Sequence, residues 1–377
     1  MFYAVRACGD GVLLYPVYAL LFADRGLSTA ELSTLFALWS VVSFVAEIPS
    51  GALADTWSRR KLYALGEWLT AAGYAVWIVW PAYPGFALGF VLWGVGGALG
   101  SGTLEALVYD ELQAEGAAAA KAAAKPEPGK ASSYARIVGR GNTVATLAIL
   151  VATLVAAPAW SFGGYALVGA VSIAVKLVGG ALALRLPESA RGGEDDDDES
   201  GYFRILRDGV RQATGSKRVV RAVLVAALVP GFTALDEYLP VLARDHGATT
   251  ASVPLFYAVT ALAMAAGSAL AGRYAAIGPR PPLLVAAVLL TGALIPHPAG
   301  MIAVSAAFGL LEFAMIAAET RLQDTITGRA RTTVLSVAGF ASEVFAVCLY
   351  GLFAVPAPLT WLFVVCAIPL LLTALAA

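Results

Sequence analysis

Gly51-Ala52-Leu53-Ala54-Asp55-Thr56-Trp57-Ser58-Arg59-Arg60-Lys61 joins two mostly apolar runs, 31–54 and 62–80. Three successive cations, with a carboxylate four residues ahead of the first, punctuate a long hydrophobic stretch. Such a cluster marks a membrane surface, because a spanning helix ends where its charged side chains can reach water. Read outward from this turn, the chain becomes a series of apolar helices joined by short charged connections.

The composition agrees. Of 377 residues, 59% are hydrophobic and only 14% are charged, and the mean hydropathy is +0.76. A soluble domain carries about 25% charged residues, so a soluble globular enzyme is excluded. Disorder is excluded too, because it needs low hydrophobicity and high net charge. The apolar runs are close to the ~20 residues that a spanning helix requires, without the alternation of barrel strands. They predict twelve transmembrane helices, near 3–23, 31–54, 62–80, 85–109, 136–158, 163–186, 218–243, 251–276, 282–297, 300–322, 333–354 and 359–377. The first is expected to be a retained helix and not a signal peptide: no basic residue precedes the run, Arg6 and Asp10 interrupt it, and no small-residue cleavage site follows. Cys8, Cys348 and Cys366 all fall inside apolar runs, where they read as small core residues.

Charge position orients the chain. If the N-terminus is cytoplasmic, 21 of the 25 Lys and Arg residues fall in inside loops, against Arg25 and Arg244 outside and Arg6 and Lys176 within spans. This skew predicts cytoplasmic termini and an even number of spans. The expected organisation is an N-terminal six-helix bundle at 1–186, a cytoplasmic central loop at 187–217 and a C-terminal six-helix bundle at 218–377. Residues 110–135 read as a surface connection carrying an Ala/Lys run like a helical spacer. The acidic block Glu194–Glu199 reads as a solvated linker, and a basic amphipathic piece, Tyr202–Gln212, follows it.

Gly51, Asp55, Arg59 and Arg60 fall on the pattern G-x-x-x-D-[RK]-x-G-R-[RK], and the loop resembles the signature of the major facilitator superfamily. Thr56 stands where that family usually has a base, and Ser58 where it has glycine. A weaker echo follows in the second half, with Gly267, Gly272-Arg273-Tyr274 and Arg280, and Ala271 in the acidic place. The run Glu47 to Gly51, with Glu105 to Asp110, is similar to a poorly characterised bacterial branch. The resemblance implies two parallel six-helix pseudo-repeats that work by alternating access, with a cavity lined by spans 1, 4, 7 and 10. It makes Gly51, Asp55, Arg59 and Arg60 a cytoplasmic gate, in which Gly51 allows close helix approach and the arginines can pair with Asp55. The chain lacks the G-x-x-x-G-P-x-x-G-G run of many drug–proton antiporters and the R-x-x-Q-G relay.

Ionisable groups within spans cost at least ~2.5–3.5 kcal/mol each on insertion scales, so each is a candidate for function. Arg6 and Asp10 share a helical face and can pair. Glu312, Glu105 and Asp10 are the candidate proton carriers. The cavity residues expected beside them are Arg6, Tyr15, Tyr18, Trp93, Tyr109, Phe232, Asp236, Glu237 and Phe313, the aromatics suiting cationic or lipophilic compounds. Aromatics are also ordinary packing in a membrane bundle. Asp236 and Glu237 read equally as a half-wet outer gate, Glu319 as part of a cytoplasmic-end cluster, and Lys176 and Glu343 as structurally paired groups. Glu47 and Glu67 complete the set.

No phosphate-binding G-x-x-x-x-G-K-[ST] motif, nucleophile elbow or metal spacing at His246 or His297 is present. Nucleic-acid binding and catalysis are therefore not expected. The expectation is a monomeric multi-pass secondary transporter of the cell membrane. It needs no cofactor beyond the proton motive force, and its partners are a small-molecule substrate and the lipid bilayer. Proton-coupled export of amphipathic or drug-like compounds is the leading reading. Import of a polar or anionic nutrient is the alternative, for which contact of Arg6 with substrate is the discriminator. A non-transporting sensor or scaffold of the same fold would instead use the central loop.

Overall fold

The computed structural model describes residues 1–122, 130–189, 216–326 and 331–377; some side chains within them, Asp55 and residues 115–122 among others, lie outside the described set. All regular elements among the described residues are helical. The first half comprises α1 (Phe2–Asp10), α2 (Tyr18–Asp24), α3 (Thr29–Thr56), α4 (Arg59–Val79), α5 (Tyr83–Gly100), α6 (Thr103–Ala122) and α7 (Lys130–Ala183). The second comprises α8 (Lys217–Gly231), a 3₁₀ turn at Phe232–Tyr238, α9 (Leu239–Asp245), α10 (Val253–Tyr274), α11 (Arg280–Leu290), α12 (Gly300–Thr325), α13 (Arg331–Phe353), α14 (Leu359–Val365) and α15 (Ala367–Ala376).

Nine helical stretches among the described residues are long and apolar enough to cross a membrane. The stretch Arg136–Ala183 has 48 residues. At ~1.5 Å per residue this is about 72 Å, more than twice the ~30 Å hydrocarbon thickness. Its backbone breaks at Gly164, where φ 57 and ψ −155 are open only to glycine. Within 110–135, expected as a surface connection with a broken helical piece, helix continues to Ala122 and resumes at Lys130.

Two compact units are present: Met1–Arg25 with Leu38–Glu194, and Gly26–Ala37 with Asp195–Ala377. In the first, glycines let α4 and α5 touch backbone to backbone. A Cβ on Gly66 would lie 2.5 Å from the Gly96 carbonyl oxygen, and one on Gly73 2.6 Å from that of Gly89. Beyond this seam an aromatic core forms, in which Tyr18 stacks on Trp77 at 5.5 Å and Phe22 meets Phe86 at 4.1 Å. The second unit repeats the device where α10 meets α12: a Cβ on Gly267 would lie 1.9 Å from the Gly309 carbonyl oxygen. The buried Thr260 and Ser305 hydroxyls are hydrogen-bonded at 2.8 Å on the same pair of helices. Small residues of this kind are what membrane helices use to approach closely. Gly267→Ala is therefore expected to destabilise the protein by about 2–3 kcal/mol, read as a lower melting temperature in detergent. Gly272→Ala, where a Cβ meets nothing within 4 Å, is expected to show no loss.

The two halves of the sequence share an internal repeat. An offset of 221 residues (239 less 18) carries α2, Tyr18–Asp24, onto α9, Leu239–Asp245. The same offset carries Gly26 onto Gly247, both at φ 90, and Arg59 onto Arg280. In this register Ala276, and not Ala271, stands opposite Asp55. The offset also superposes two interruptions. The first predicted span is not one helix but α1 and α2 separated by residues 11–17, and the seventh is broken by the 3₁₀ turn at Phe232–Tyr238. Glycine and proline account for both: Gly9, Gly11 and Pro16 in the first, and Pro230, Gly231 and Pro240 in the second. Glycine- or proline-interrupted spans at matching places in two repeats are a hallmark of transporter binding sites.

Candidate functional site

A helix that stops within a membrane leaves backbone groups that lipid cannot satisfy. In the first unit α7 supplies the missing partners. The Lys176 ammonium donates to the Gly9 carbonyl oxygen at 2.6 Å, and the buried Ser172 hydroxyl accepts from the Leu14 N–H at 3.0 Å. Lys176 also pairs with Glu67 of α4 at 3.1 Å, with both side chains at 10% exposure or less. The cation thus sits at the C-terminal end of α1, where the helix dipole favours it. Gly9 makes room for the arrangement, since a Cβ there would come 2.8 Å from the Tyr63 hydroxyl. The second carboxylate oxygen of Glu67 is buried without a hydrogen-bond partner among the described residues. Sequence reasoning recognised these two charges but did not bring them together or place them at the site.

Arg6 does not take the partner expected of it. Among the described residues its guanidinium pairs with Glu105 of α6 at 3.3 Å and donates to Asn142 Oδ1 of α7 at 3.1 Å, while Asp10 makes no ion pair. A local i, i+4 pair on a surface helix is worth only ~0.2–0.5 kcal/mol, so contacts offered by neighbouring helices outweigh it. Glu105, a leading candidate as proton carrier, is therefore held against a counter-charge.

In the second unit the 3₁₀ turn presents Asp236, Glu237 and Tyr238. The Tyr257 hydroxyl of α10 donates to Asp236, and Glu237 is buried. Tyr238 is hydrogen-bonded to the Ser33 hydroxyl at 2.7 Å, stacks on Phe353 at 4.2 Å and meets Phe36 edge-on at 5.3 Å. Glu312 of α12 is half-buried and makes no hydrogen bond or ion pair among the described residues.

Most of the predicted cavity aromatics belong to helix packing. Tyr18, Phe232 and Phe313 are buried, Phe232 against Phe345 at 4.9 Å and Phe313 beside Ala271 and Ala317. Trp93 is half-buried, stacked on Phe90 at 5.8 Å and tilted against Trp39 at 5.1 Å, and Tyr15 meets it edge-on at 6.2 Å. Tyr109 is exposed, accepting from Gln113 at 3.0 Å.

The loop at 51–61 is built around Glu188. This carboxylate accepts from the Ser58 hydroxyl, from the Arg59 backbone N–H at 2.5 Å, and pairs with Arg60 Nε at 3.3 Å. Arg59 pairs with Asp110. Ser58, at the position usually glycine, caps α4 by accepting from the Lys61 N–H at 3.4 Å. An acid at a helix N-terminus is where the dipole favours it. The Asp55 side chain lies outside the described residues. Among the described residues, no atom of another helix lies within 4 Å of where a Cβ on Gly51 would be.

The Major Facilitator Superfamily profile matches residues 2–347. No curated protein sequence matches the chain. Among solved structures, the nucleoside transporter NupG superposes with a TM-score of 0.75 at 11% identity, covering 100% of this chain and 96% of that one. A D-xylose-proton symporter gives 0.70 at 15% identity, covering 99% and 94%. An inward-facing bacterial homologue of the human lysosomal transporter Spinster gives 0.68 at 16% identity, covering 92% and 78%.

Proposed function

The chain belongs to the major facilitator superfamily, and from that premise we propose that it is a proton-coupled exporter of small amphipathic compounds. That it is a multi-pass membrane transporter and not an enzyme follows from the family. The finer reading adds alternating access, twelve crossings with cytoplasmic termini, bundles at 1–186 and 218–377, a central loop at 187–217, a monomeric state and residence in the cell membrane. The skew of basic residues supports the topology. Glu312 carries the coupling reading. It is a half-buried carboxyl on α12 with no partner among the described residues, so its proton can leave and return without breaking a structural contact. Glu105 is committed to Arg6, and Arg6 is neutralised in turn, which favours an uncharged or cationic solute over an anion.

Purified protein in sealed vesicles tests this. Substrate-dependent flux of a fluorescent lipophilic cation should rise severalfold when a pH gradient is imposed and collapse with a protonophore. Flux indifferent to the gradient overturns the coupling. A second reading, proton-driven uptake of a polar solute, has support in two structural neighbours, a nucleoside transporter and a D-xylose-proton symporter. Gradient-driven flux of a nucleoside or pentose, with none of the cation, would establish it instead.

A further inference from the structure

A cavity of about 550 Å³ opens at one end of the second unit, where α8 begins, α12 and α15 finish and the α10–α11 turn passes. Its walls carry three cations, Lys217, Arg221 and Arg321, one acidic side chain, Asp324, and the last residue, Ala377. None of the three cations makes an ion pair with a described carboxylate side chain. The two guanidiniums are nonetheless held in place: Arg221 Nε donates to the Ala376 carbonyl oxygen at 2.9 Å and Arg321 Nη1 to Ala377 O at 3.3 Å. Each keeps further N–H groups free of any described acceptor. Unspent donors on oriented guanidiniums are suited to a phosphate, whose oxygens match the planar fork.

The deeper wall is apolar, with Val225 and Ala318 among its residues. Immediately beside the cavity in sequence, Leu224 is 47% exposed on α8, and Leu372 and Leu375 are 62% and 59% exposed on α15. A free inorganic anion has no use for such a surface, whereas a phospholipid needs apolar side chains along its tails and cations at its headgroup. Basic pockets among helices at a cytoplasmic membrane face take lipid phosphates on this principle. The predicted orientation puts this end at that face.

We propose that the cavity is a binding site for the phosphate headgroup of an anionic phospholipid. The phosphate sits among Lys217, Arg221 and Arg321, and the acyl chains follow the exposed leucines of α8 and α15. A bound lipid of this kind ties together the ends of the helices around the cavity and stabilises the second unit by mass action.

Delipidated full-length protein in detergent tests the assignment by thermal unfolding against phosphatidylglycerol, phosphatidylcholine and inorganic phosphate. Phosphatidylglycerol should stabilise at a concentration at least tenfold below that needed with phosphatidylcholine, and inorganic phosphate should have no effect. The Arg221→Gln/Arg321→Gln double variant should lose this preference. Arg273→Gln/Arg280→Gln, which removes two cations outside the cavity wall, should keep it. An undiminished preference in the first variant, or an equal loss in the second, overturns the site. Stabilisation by inorganic phosphate at the same concentration overturns the lipid in favour of a soluble anion. Lys217→Gln, an exposed substitution at the start of α8, provides a second measurement by native mass spectrometry. It should retain fewer phosphatidylglycerol molecules than the wild type, and equal retention counts against the proposal.

Discussion

Lys176→Met is expected to destabilise the protein by about 3–5 kcal/mol, because removing one partner of a buried ion pair leaves the other as an uncompensated charge. Two losses combine at this position. Glu67 keeps a buried carboxylate whose second oxygen already lacks a partner among the described residues, and the Gly9 carbonyl at the end of α1 loses its donor. An unsatisfied buried carbonyl adds about 1–3 kcal/mol of the same sign. The Glu67→Met/Lys176→Met double variant should recover most of the charge-related loss, since apolar replacement of a whole buried pair is often neutral. It should not recover the part due to Gly9. The check is a melting curve in detergent for wild type, single and double variants. A single variant within about 2 °C of wild type, on the scale of ~2–4 °C per kcal/mol for large domains, would show that lipid or water reaches the pair.

This prediction turns on a contact the sequence does not display locally. Arg6 and Asp10 lie one turn apart and so invite pairing, yet Arg6 finds Glu105 and Asn142 on other helices. Sequence proximity reports only neighbours on one helix, while a membrane bundle pairs charges by depth. Depth was readable all the same. Glu67 lies nine residues after Ser58, and Lys176 ten residues before Leu186, which sets both about 14–15 Å from the same surface. Two opposite charges at one depth in two spans of the same half, the third and the sixth, can meet if those spans pack together.

Other parts of the reading rest on stronger signals. Length and hydropathy locate apolar helices because a bilayer enforces both. The 51–61 turn is legible because three cations must sit at an interface. Its partners are not: Asp110 and Glu188 reach Arg59 and Arg60 from distant parts of the chain. The break in the first helix was announced by Gly9, Gly11 and Pro16 and its repeat by Pro230 and Gly231. An apolar run read for hydropathy alone passes over residues whose effect is on backbone dihedrals. The aromatics were open to two readings, ligand contact or packing, and in this structure Tyr18 and Phe313 are buried among neighbouring side chains.

Glu312→Gln is expected to abolish gradient-driven accumulation, lowering it at least tenfold, while exchange of labelled for unlabelled solute without a gradient persists. The amide has nearly the shape of the protonated carboxyl but cannot release a proton, so it fixes the site in one of the two charge states that coupling must alternate between. Because Glu312 makes no ion pair or hydrogen bond among the described residues, the substitution orphans no partner and should leave the melting temperature nearly unchanged. Glu105→Gln has a different signature. It strips Arg6 of its counter-charge and leaves Asn142 as the remaining described acceptor. The buried Nε of Arg6 is already without a partner among the described residues, so stability should fall in addition to any effect on flux. Measuring accumulation, exchange and melting on both variants separates the roles. If Glu105→Gln loses accumulation at unchanged stability while Glu312→Gln keeps it, the proton travels on the carboxyl beside Arg6. The arginine would then be the group that sets when that proton leaves.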